Sequence, residues 1–154
     1  MAVRPIPEGY HSVNTILIVR DGDGRKAIEF YKRVFGATES MFMADTEGRL
    51  MHAEIKIGDS TVMIGEERPE WHNHSPGSLG GSPVVLHLYV ENVDTVAEKA
   101  IDAGAEILFP VEDQFYGDRS GRIKDPFGHV WIISTHMEDV PVEEMERRAA
   151  EIFG

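Results

Sequence analysis

One short alternating run carries the residue types best suited to chemistry. His52 and Glu54 stand two residues apart within Met51–Ile57, and side chains with that spacing lie on one face of a β-strand. An imidazole beside a carboxylate can transfer protons near neutral pH, so His52 and Glu54 are the candidate catalytic residues. With His87 as a second imidazole they could instead bind a divalent metal ion. A third interpretation makes them polar groups that line a ligand site.

Two predicted loops hold further candidates. The segment Trp71–His74 contains two imidazoles, but these are too few ligands for a metal, and the surrounding glycines and prolines are typical of a mobile or subunit-contacting loop. The segment Gln114–Arg119 ends in Asp118 and Arg119. The Arg119 guanidinium could bind a carboxylate or phosphonate through two hydrogen bonds. Alternatively, Arg119 pairs with Asp118 and only shapes the loop.

The composition limits the classes of function. The chain has 154 residues, with 27 Asp and Glu against 15 Lys and Arg, which gives a net charge of -12. This charge repels nucleic-acid backbones and anionic membrane surfaces, so we expect neither as a partner. The absence of cysteine excludes disulfides and thiolate metal sites. Without an apolar leader or spanning segment, we expect a cytoplasmic protein.

The chain shows the same order of elements twice. Each half starts with a β-branched strand, continues with a helix that ends at a glycine, and closes with three strands. The first half is predicted to contain strands at Val13–Val19, Ser40–Ala44, Met51–Ile57 and Thr61–Ile64, with a helix from Arg25 to Gly36. The second half is predicted to contain strands at Val84–Val90, Glu106–Phe109, Gly121–Lys124 and Val130–Ser134, with a helix that ends at Gly104.

This repeat predicts an α+β fold of two β-α-β-β-β modules in a single domain over residues 1–154. The first module covers about residues 10–67 and the second about 84–137. Residues 68–83 form a linker or a long ordered loop, and about residues 141–153 form an amphipathic C-terminal helix. Modules of this size must pack together within one chain or exchange partners between chains. We also expect a homodimer.

Five motifs, in the same order over both modules, resemble the vicinal-oxygen-chelate superfamily, which includes glyoxalase I, bleomycin-resistance proteins and extradiol dioxygenases. The resemblance is strongest to its PhnB-like branch. The motifs are Ala27–Ala37, His52–Glu54, Ser75–Gly81, Tyr116–Arg119 and Asp125–Trp131. The resemblance implies that each module curls a mixed sheet, mostly antiparallel, into a concave trough. Helices would cover the convex side, and ligands would bind on the concave side.

The resemblance also implies four metal-ligand positions, which fall on Asn14, Met63, Val85 and Ile133. Two of these side chains are aliphatic, and a thioether is a poor ligand for hard divalent ions. We therefore expect no cofactor and no standard metal site. A shifted site formed by His52, Glu54 and His87 is the alternative.

We thus expect a small-molecule-binding protein whose ligand lies in the trough. Its predicted ligand-binding residues are Asn14, Ile16, His52, Glu54, Met63, Val85, His87, Arg119, Trp131 and Ile133. One alternative is an enzyme, either metal-dependent or acid–base, of the lyase, isomerase or dioxygenase type. Another is an accessory protein that binds a protein partner through its C-terminal helix or residues 68–83.

Overall fold

The computed structural model describes residues 2–154. The strands are β1 Thr15–Val19, β2 Thr38–Ala44, β3 Leu50–Ile57, β4 Ser60–Glu66, β5 Val85–Tyr89, β6 Glu106–Asp113, β7 Asp118–Lys124 and β8 Val130–His136. The α-helices are α1 Gly24–Phe35, α2 Pro76–Leu79, α3 Val93–Asp102 and α4 Val142–Phe153. A 3-10 turn covers Pro69–Trp71. Within residues 2–154, no helix combines the length and the apolar character needed to span a membrane.

The chain divides into two compact units, each with one four-stranded sheet. The first unit comprises residues up to Ser82 and the turn Phe127–His129, and the second comprises Pro83–Pro126 and Val130–Gly154. Sheet 1 has the order β1-β4-β3-β2, and sheet 2 has the order β5-β8-β7-β6. In each sheet the outer pair that joins the module's first and last strands is parallel, and the other pairs are antiparallel. The predicted α+β fold with two β-α-β-β-β modules is confirmed.

Helix α1 covers one face of sheet 1. Ile28 and Tyr31 of this helix are fully inaccessible, and the helix contacts β3, where Ala53 and Ile55 are also inaccessible. The helix ends at Gly36, whose φ of 69° is the left-handed conformation that glycine adopts without a steric penalty. Met51 of β3 is 41% exposed, and a bulge leaves it without a partner in β2.

Helix α3 covers one face of sheet 2 through contacts with β6, β7 and β8. The side chains of Ile123, Trp131 and Ile133 are buried, each at most 2% exposed. Strand β7 begins at Asp118, so the prediction that Asp118 and Arg119 lie in a loop is wrong. These two residues pair with His136 and Thr135 of β8. This pairing makes β7 start three residues earlier than the predicted strand Gly121–Lys124.

The segment between the modules is an ordered loop that Glu67 holds in place. The Ser75 backbone N–H donates to Glu67 Oε1 at 2.7 Å, and the Ser75 hydroxyl donates to the same oxygen. The Ser75 Oγ in turn accepts from the Ser78 N–H at the start of α2, at 3.3 Å. Ser75 is fully buried. One carboxylate therefore fixes the entry to this short helix.

We predict that Glu67 makes the stability of the loop depend on pH. Hydrogen bonds from Ser75 lower the pKa of Glu67 from 4.5 to about 2. A carboxyl group whose pKa is lowered by folding stabilises the fold above its unfolded pKa and loses that effect as the pH falls towards its folded pKa. The melting temperature of the wild type should therefore fall between pH 4.5 and about 2 more steeply than that of Glu67→Gln.

Thermal unfolding followed at a series of pH values measures this difference. Glu70→Gln, at an exposed position in the same loop, is the matched control and should behave like the wild type. Parallel curves for the wild type and Glu67→Gln would contradict this role of Glu67.

Candidate functional site

The face of sheet 1 that α1 leaves uncovered, called open face 1 below, carries four of the predicted ligand-binding residues. The strand register places Ile16 beside Met63, Met63 beside Glu54, and His52 beside Met43 of β2. Ile16 is 57% exposed and Met43 is 51% exposed. Flexible methionine side chains suit a surface that adapts to ligands of different shape. Open face 1 therefore surrounds one His/Glu pair with accessible apolar groups.

Glu54 is the centre of a hydrogen-bonded triad on open face 1. Its side chain is buried, His52 Nε2 lies 2.8 Å from Oε2, and the Tyr10 hydroxyl donates to Oε1. The hydrogen bond from Tyr10, followed by that from His52, lowers the pKa of Glu54 despite its burial. Glu54 is thus ionised at neutral pH and can only accept hydrogen bonds. His52 Nε2 must donate, which makes Nδ1 the ring nitrogen that can take up a proton.

Tyr10 is a site residue that sequence reasoning missed. It lies before β1, in a segment fastened to sheet 1 by a hydrogen bond of 2.9 Å from Thr61 Oγ1 to the Gly9 carbonyl. Because Tyr10 belongs to no periodic element, the sequence contains no signal for this long-range contact. The same hydrogen bond to Glu54 raises the pKa of Tyr10.

The four positions that the resemblance assigns to a metal do not fit a hard divalent ion. The Asn14 amide is turned back to the His11 backbone, accepting from its N–H at 3.0 Å and donating to its carbonyl at 2.6 Å. Ile133 is 1% exposed and faces the helix side. Met63 and Val85 lie on the open faces but offer a thioether and an alkyl group.

Within residues 2–154, the other side chains considered as metal ligands do not form a metal site either. Both Glu54 carboxylate oxygens are engaged by Tyr10 and His52. Trp71, next to His72 in the loop of residues 68–83, lies with its ring centre 4.5 Å from the Arg68 guanidinium carbon. Over the described part of the chain, no group of three His, Asp or Glu side chains is arranged so that it could hold a metal ion.

The uncovered face of sheet 2, called open face 2, carries Val85 and His87 as predicted, together with Ile132 and Ser134 of β8. Trp131 and Ile133 were predicted on this face and lie on the opposite one. Trp131 is 2% exposed, and its indole N–H donates to Asp125 Oδ2 at 3.0 Å. A register error of one residue exchanges the two faces of a strand, which accounts for this correction.

A cleft of about 260 Å³ opens on sheet 2. Gly121 lets β6 pass close to β7 beside this cleft, because a Cβ at this position would come within 2.9 Å of Val111 Cγ2. The lining residues are Phe109, Pro110, Glu112, Gln114, Tyr116, Ser120, Gly121, Arg122 and Ile132. The cleft thus combines aromatic walls with several hydrogen-bond donors, as small-molecule sites do.

Arg122 is the principal cation of this cleft. Its guanidinium carbon lies 5.6 Å from the centre of the Phe109 ring. Within residues 2–154 it forms no ion pair with any carboxylate. Strand alternation from the buried Ile123 could have placed Arg122 on the open face, but sequence reasoning did not draw that inference.

Arg119, the predicted anion-binding residue, is engaged by carboxylates of its own unit. Its Nε and Nη2 donate to the two oxygens of Asp94, each at 2.9 Å, and its Nη1 donates to Asp113 at 3.1 Å. These contacts raise the pKa of Arg119 and lower that of Asp94. Arg119 ties the start of α3 to sheet 2, so the structure favours a structural role.

A second polar network lies at the edge of open face 2. The buried Asp118 accepts from the Tyr89 hydroxyl at 2.7 Å and lies 2.7 Å from His136 Nδ1, while His136 Nε2 lies 2.7 Å from Asp139. The two carboxylates, Asp118 foremost, raise the pKa of His136. This network fixes the end of β8 and satisfies the buried carboxylate.

The geometry of both sheets can now be set beside known proteins. The family model described as the glyoxalase/bleomycin resistance protein/dioxygenase superfamily matches residues 12–133. The chain belongs to this superfamily. An uncharacterized protein of Mycobacterium bovis is 38% identical over 127 residues, which cover 80% of this chain and 84% of that protein.

Solved structures of this superfamily share its fold with the chain. A PhnB protein from Bacillus cereus is 20% identical, with a TM-score of 0.64, and the match covers 81% of this chain and 99% of that one. The fosfomycin resistance protein FosX from Listeria monocytogenes, solved with Mn(II) and sulfate, is 20% identical, with a TM-score of 0.61 and coverage of 90% and 96%. At this identity the likeness concerns the fold.

We predict that Tyr10→Phe raises the pKa of Glu54, because the hydrogen bond from Tyr10 is the largest cause of its lowering. The titration of the Glu54 carboxyl carbon, followed by NMR in the wild type and the variant, measures the change. Stability that comes from a lowered carboxyl pKa disappears as the pH falls, so Tyr10→Phe should also reduce the acid sensitivity of the fold.

The matched control is Tyr116→Phe, the same substitution in the second unit, which should leave the Glu54 titration unchanged. A Glu54 pKa that is the same in the wild type and Tyr10→Phe would refute the triad.

Proposed function

We propose that the chain binds a small organic anion in the cleft of sheet 2 and that Arg122 recognises the anionic group. The observation that carries this proposal is that the Arg122 guanidinium lines a cleft with aromatic walls and has no carboxylate partner within residues 2–154. A guanidinium presents paired N–H donors that match a carboxylate or phosphonate. The ligand supplies the counter-charge that the chain itself does not.

The walls of the cleft favour an anion with an aromatic or aliphatic body. Phe109, Tyr116 and Ile132 offer apolar surface on which such a body can pack, and each Å² of apolar surface removed from water contributes about 25 cal/mol. Arg122 must act locally, because the chain as a whole carries a net charge of -12 and repels anions at a distance. Selectivity for anions therefore depends on this single side chain.

We further propose that binding needs no divalent metal. The side chains at the four positions that the resemblance assigns to metal ligands support this proposal. Asn14 uses its amide to bond the His11 backbone, Met63 offers only a thioether, and Val85 and Ile133 offer only alkyl groups. FosX was solved with Mn(II), and a carboxylate-poor set of this kind suits such an ion badly. Arg122 would then supply the charge that a metal supplies elsewhere.

A second candidate function is acid–base catalysis on open face 1. The observation that favours it is the triad of Tyr10, Glu54 and His52, in which an ionised carboxylate fixes the Nε2–H form of the imidazole. An imidazole held in this way can accept a proton at Nδ1 from a ligand that packs on Ile16 and Met63. This role is compatible with ligand binding in the cleft of sheet 2.

Homodimer formation in the cytoplasm completes the proposal. Helix α4 supports it, because Val142, Ile152 and Phe153 are 64%, 59% and 76% exposed and offer apolar surface to a second copy of the chain.

We predict that benzoate and phenylphosphonate bind more tightly than the neutral benzamide, and that Arg122→Gln removes this preference. A hydrogen bond to a charged group contributes about 1.5 to 3 kcal/mol, so the variant should lose about tenfold or more in affinity for the anions. Isothermal titration calorimetry measures both effects. Arg33→Gln, which makes the same charge change at an exposed position of α1, is the matched control.

Equal affinity for benzoate and benzamide would contradict the proposal. So would an Arg122→Gln variant that binds benzoate as well as Arg33→Gln does.

We also predict that Mn²⁺, Zn²⁺, Ni²⁺ and Fe²⁺ leave the melting temperature unchanged and that the purified protein carries no stoichiometric divalent ion. Metal analysis and thermal-shift titrations test this. A stoichiometric ion that is lost in His52→Ala or Glu54→Ala would overturn the metal-independent mechanism.

A further inference from the structure

A chain of three hydrogen-bonded side chains leads from the surface of sheet 2 into its cleft. His87 Nε2 lies 2.8 Å from Ser134 Oγ, and Ser134 Oγ donates to Ser120 Oγ at 3.0 Å. His87 is exposed, Ser134 is fully buried, and Ser120 is 5% exposed and lines the cleft. The chain thus joins solvent at one end to the ligand site at the other.

The direction of the hydrogen bonds determines what Ser120 offers to a ligand. Each serine hydroxyl has one proton, so when Ser134 donates to Ser120 it must accept from His87. Ser120 then keeps its own proton for an oxygen in the cleft. In the reverse direction Ser120 donates to Ser134, and Ser120 Oγ accepts a hydrogen bond from a ligand hydroxyl instead.

We infer that Ser120, aligned by Ser134 and His87, is a specificity-determining group that selects organic anions carrying a hydroxyl. This inference rests on the proposed function, since Arg122 would hold the anionic group. Ser120 and Arg122 stand two residues apart on β7 and project from the same face of the strand. A ligand hydroxyl both donates and accepts, so it matches Ser120 in either direction of the chain.

Burial gives this contact its weight. Ser120 and Ser134 are both buried, with at most 5% of each exposed. Their mutual hydrogen bond therefore holds the Ser120 hydroxyl in place before the ligand arrives. A ligand with a methyl group in place of the hydroxyl would leave Ser120 without a partner on the cleft side. A site built around a hydrogen-bonding group rejects analogues that lack the matching group.

Two matched series of acids test the inference, namely 2-, 3- and 4-hydroxybenzoate and the corresponding methylbenzoates. In the wild type, at least one hydroxybenzoate should bind about tenfold more tightly than the methylbenzoate of the same substitution pattern. Ser120→Ala should reduce that hydroxybenzoate to the affinity of its methyl analogue while leaving the methylbenzoate unchanged. Isothermal titration calorimetry gives the affinities, and thermal unfolding verifies that the variant is folded.

Ser134→Ala provides an independent test, because it keeps the Ser120 hydroxyl but removes the group that aligns it. The preference for the hydroxyl should shrink by about threefold or more, whereas affinity for the methylbenzoates should not change. Ser60→Ala, the same substitution at an exposed position of the first unit, is the control and should retain the full preference.

The outcomes separate this inference from the proposed function. If the wild type binds hydroxybenzoates and methylbenzoates equally well, the selectivity of Ser120 is overturned while anion binding by Arg122 stands. The same holds if Ser120→Ala lowers the affinity for both series equally. If none of the six acids binds, the proposed function fails and this inference fails with it.

Discussion

The two faces of each sheet depend on strand register. In both units a helix buries one face and the other face is left open, so a shift of one residue in a strand would exchange the core for the site. Ile123 and Arg122 illustrate this constraint. Ile123 is only 1% exposed and lies on the face that the helix covers, whereas its neighbour Arg122 lines the cleft on the open face. The contacts proposed for Ser120, Arg122 and Ile132 follow from this alternation.

Among the described arginines of the second unit, Arg119, Arg147 and Arg148 form ion pairs with carboxylates, whereas Arg122 does not. Arg119 is bound by Asp94 and Asp113, and the pair His136 and Asp118 secures the end of β8. Arg122 has an aromatic ring beside it but no carboxylate within residues 2–154. The chain has nearly twice as many acidic as basic residues, so carboxylate partners for an arginine are plentiful. An arginine in a cleft without such a partner is therefore unusual and available to an anionic ligand.

The sequence predicts a face correctly where polar and apolar residues alternate. His52 and Glu54 alternate with Ala53 and Ile55, so the open side of β3 could be read directly. Strand β8 begins with Val130-Trp131-Ile132-Ile133, which is apolar on both faces and contains no contrast to fix the register. Trp131 and Ile133 were therefore assigned to the wrong side.

Other site residues could not be predicted because their partners lie far away in the chain. Tyr10 contacts Glu54 across 44 residues and belongs to no periodic element. Asp118 and Arg119 resemble loop residues in composition, yet pairing with β8 makes them part of a strand. Local patterns predict elements well, whereas such contacts depend on the tertiary fold.

The location of the bound anion is the central claim of this account. An NMR titration of the isotope-labelled chain with benzoate tests it most directly. The account predicts that the Arg122 side-chain Nε–H resonance and the backbone amides of Phe109, Tyr116 and Ser120 shift together and saturate with one dissociation constant. Shifts centred on Ile16, His52 and Met63 instead, with Arg122 unaffected, would contradict it.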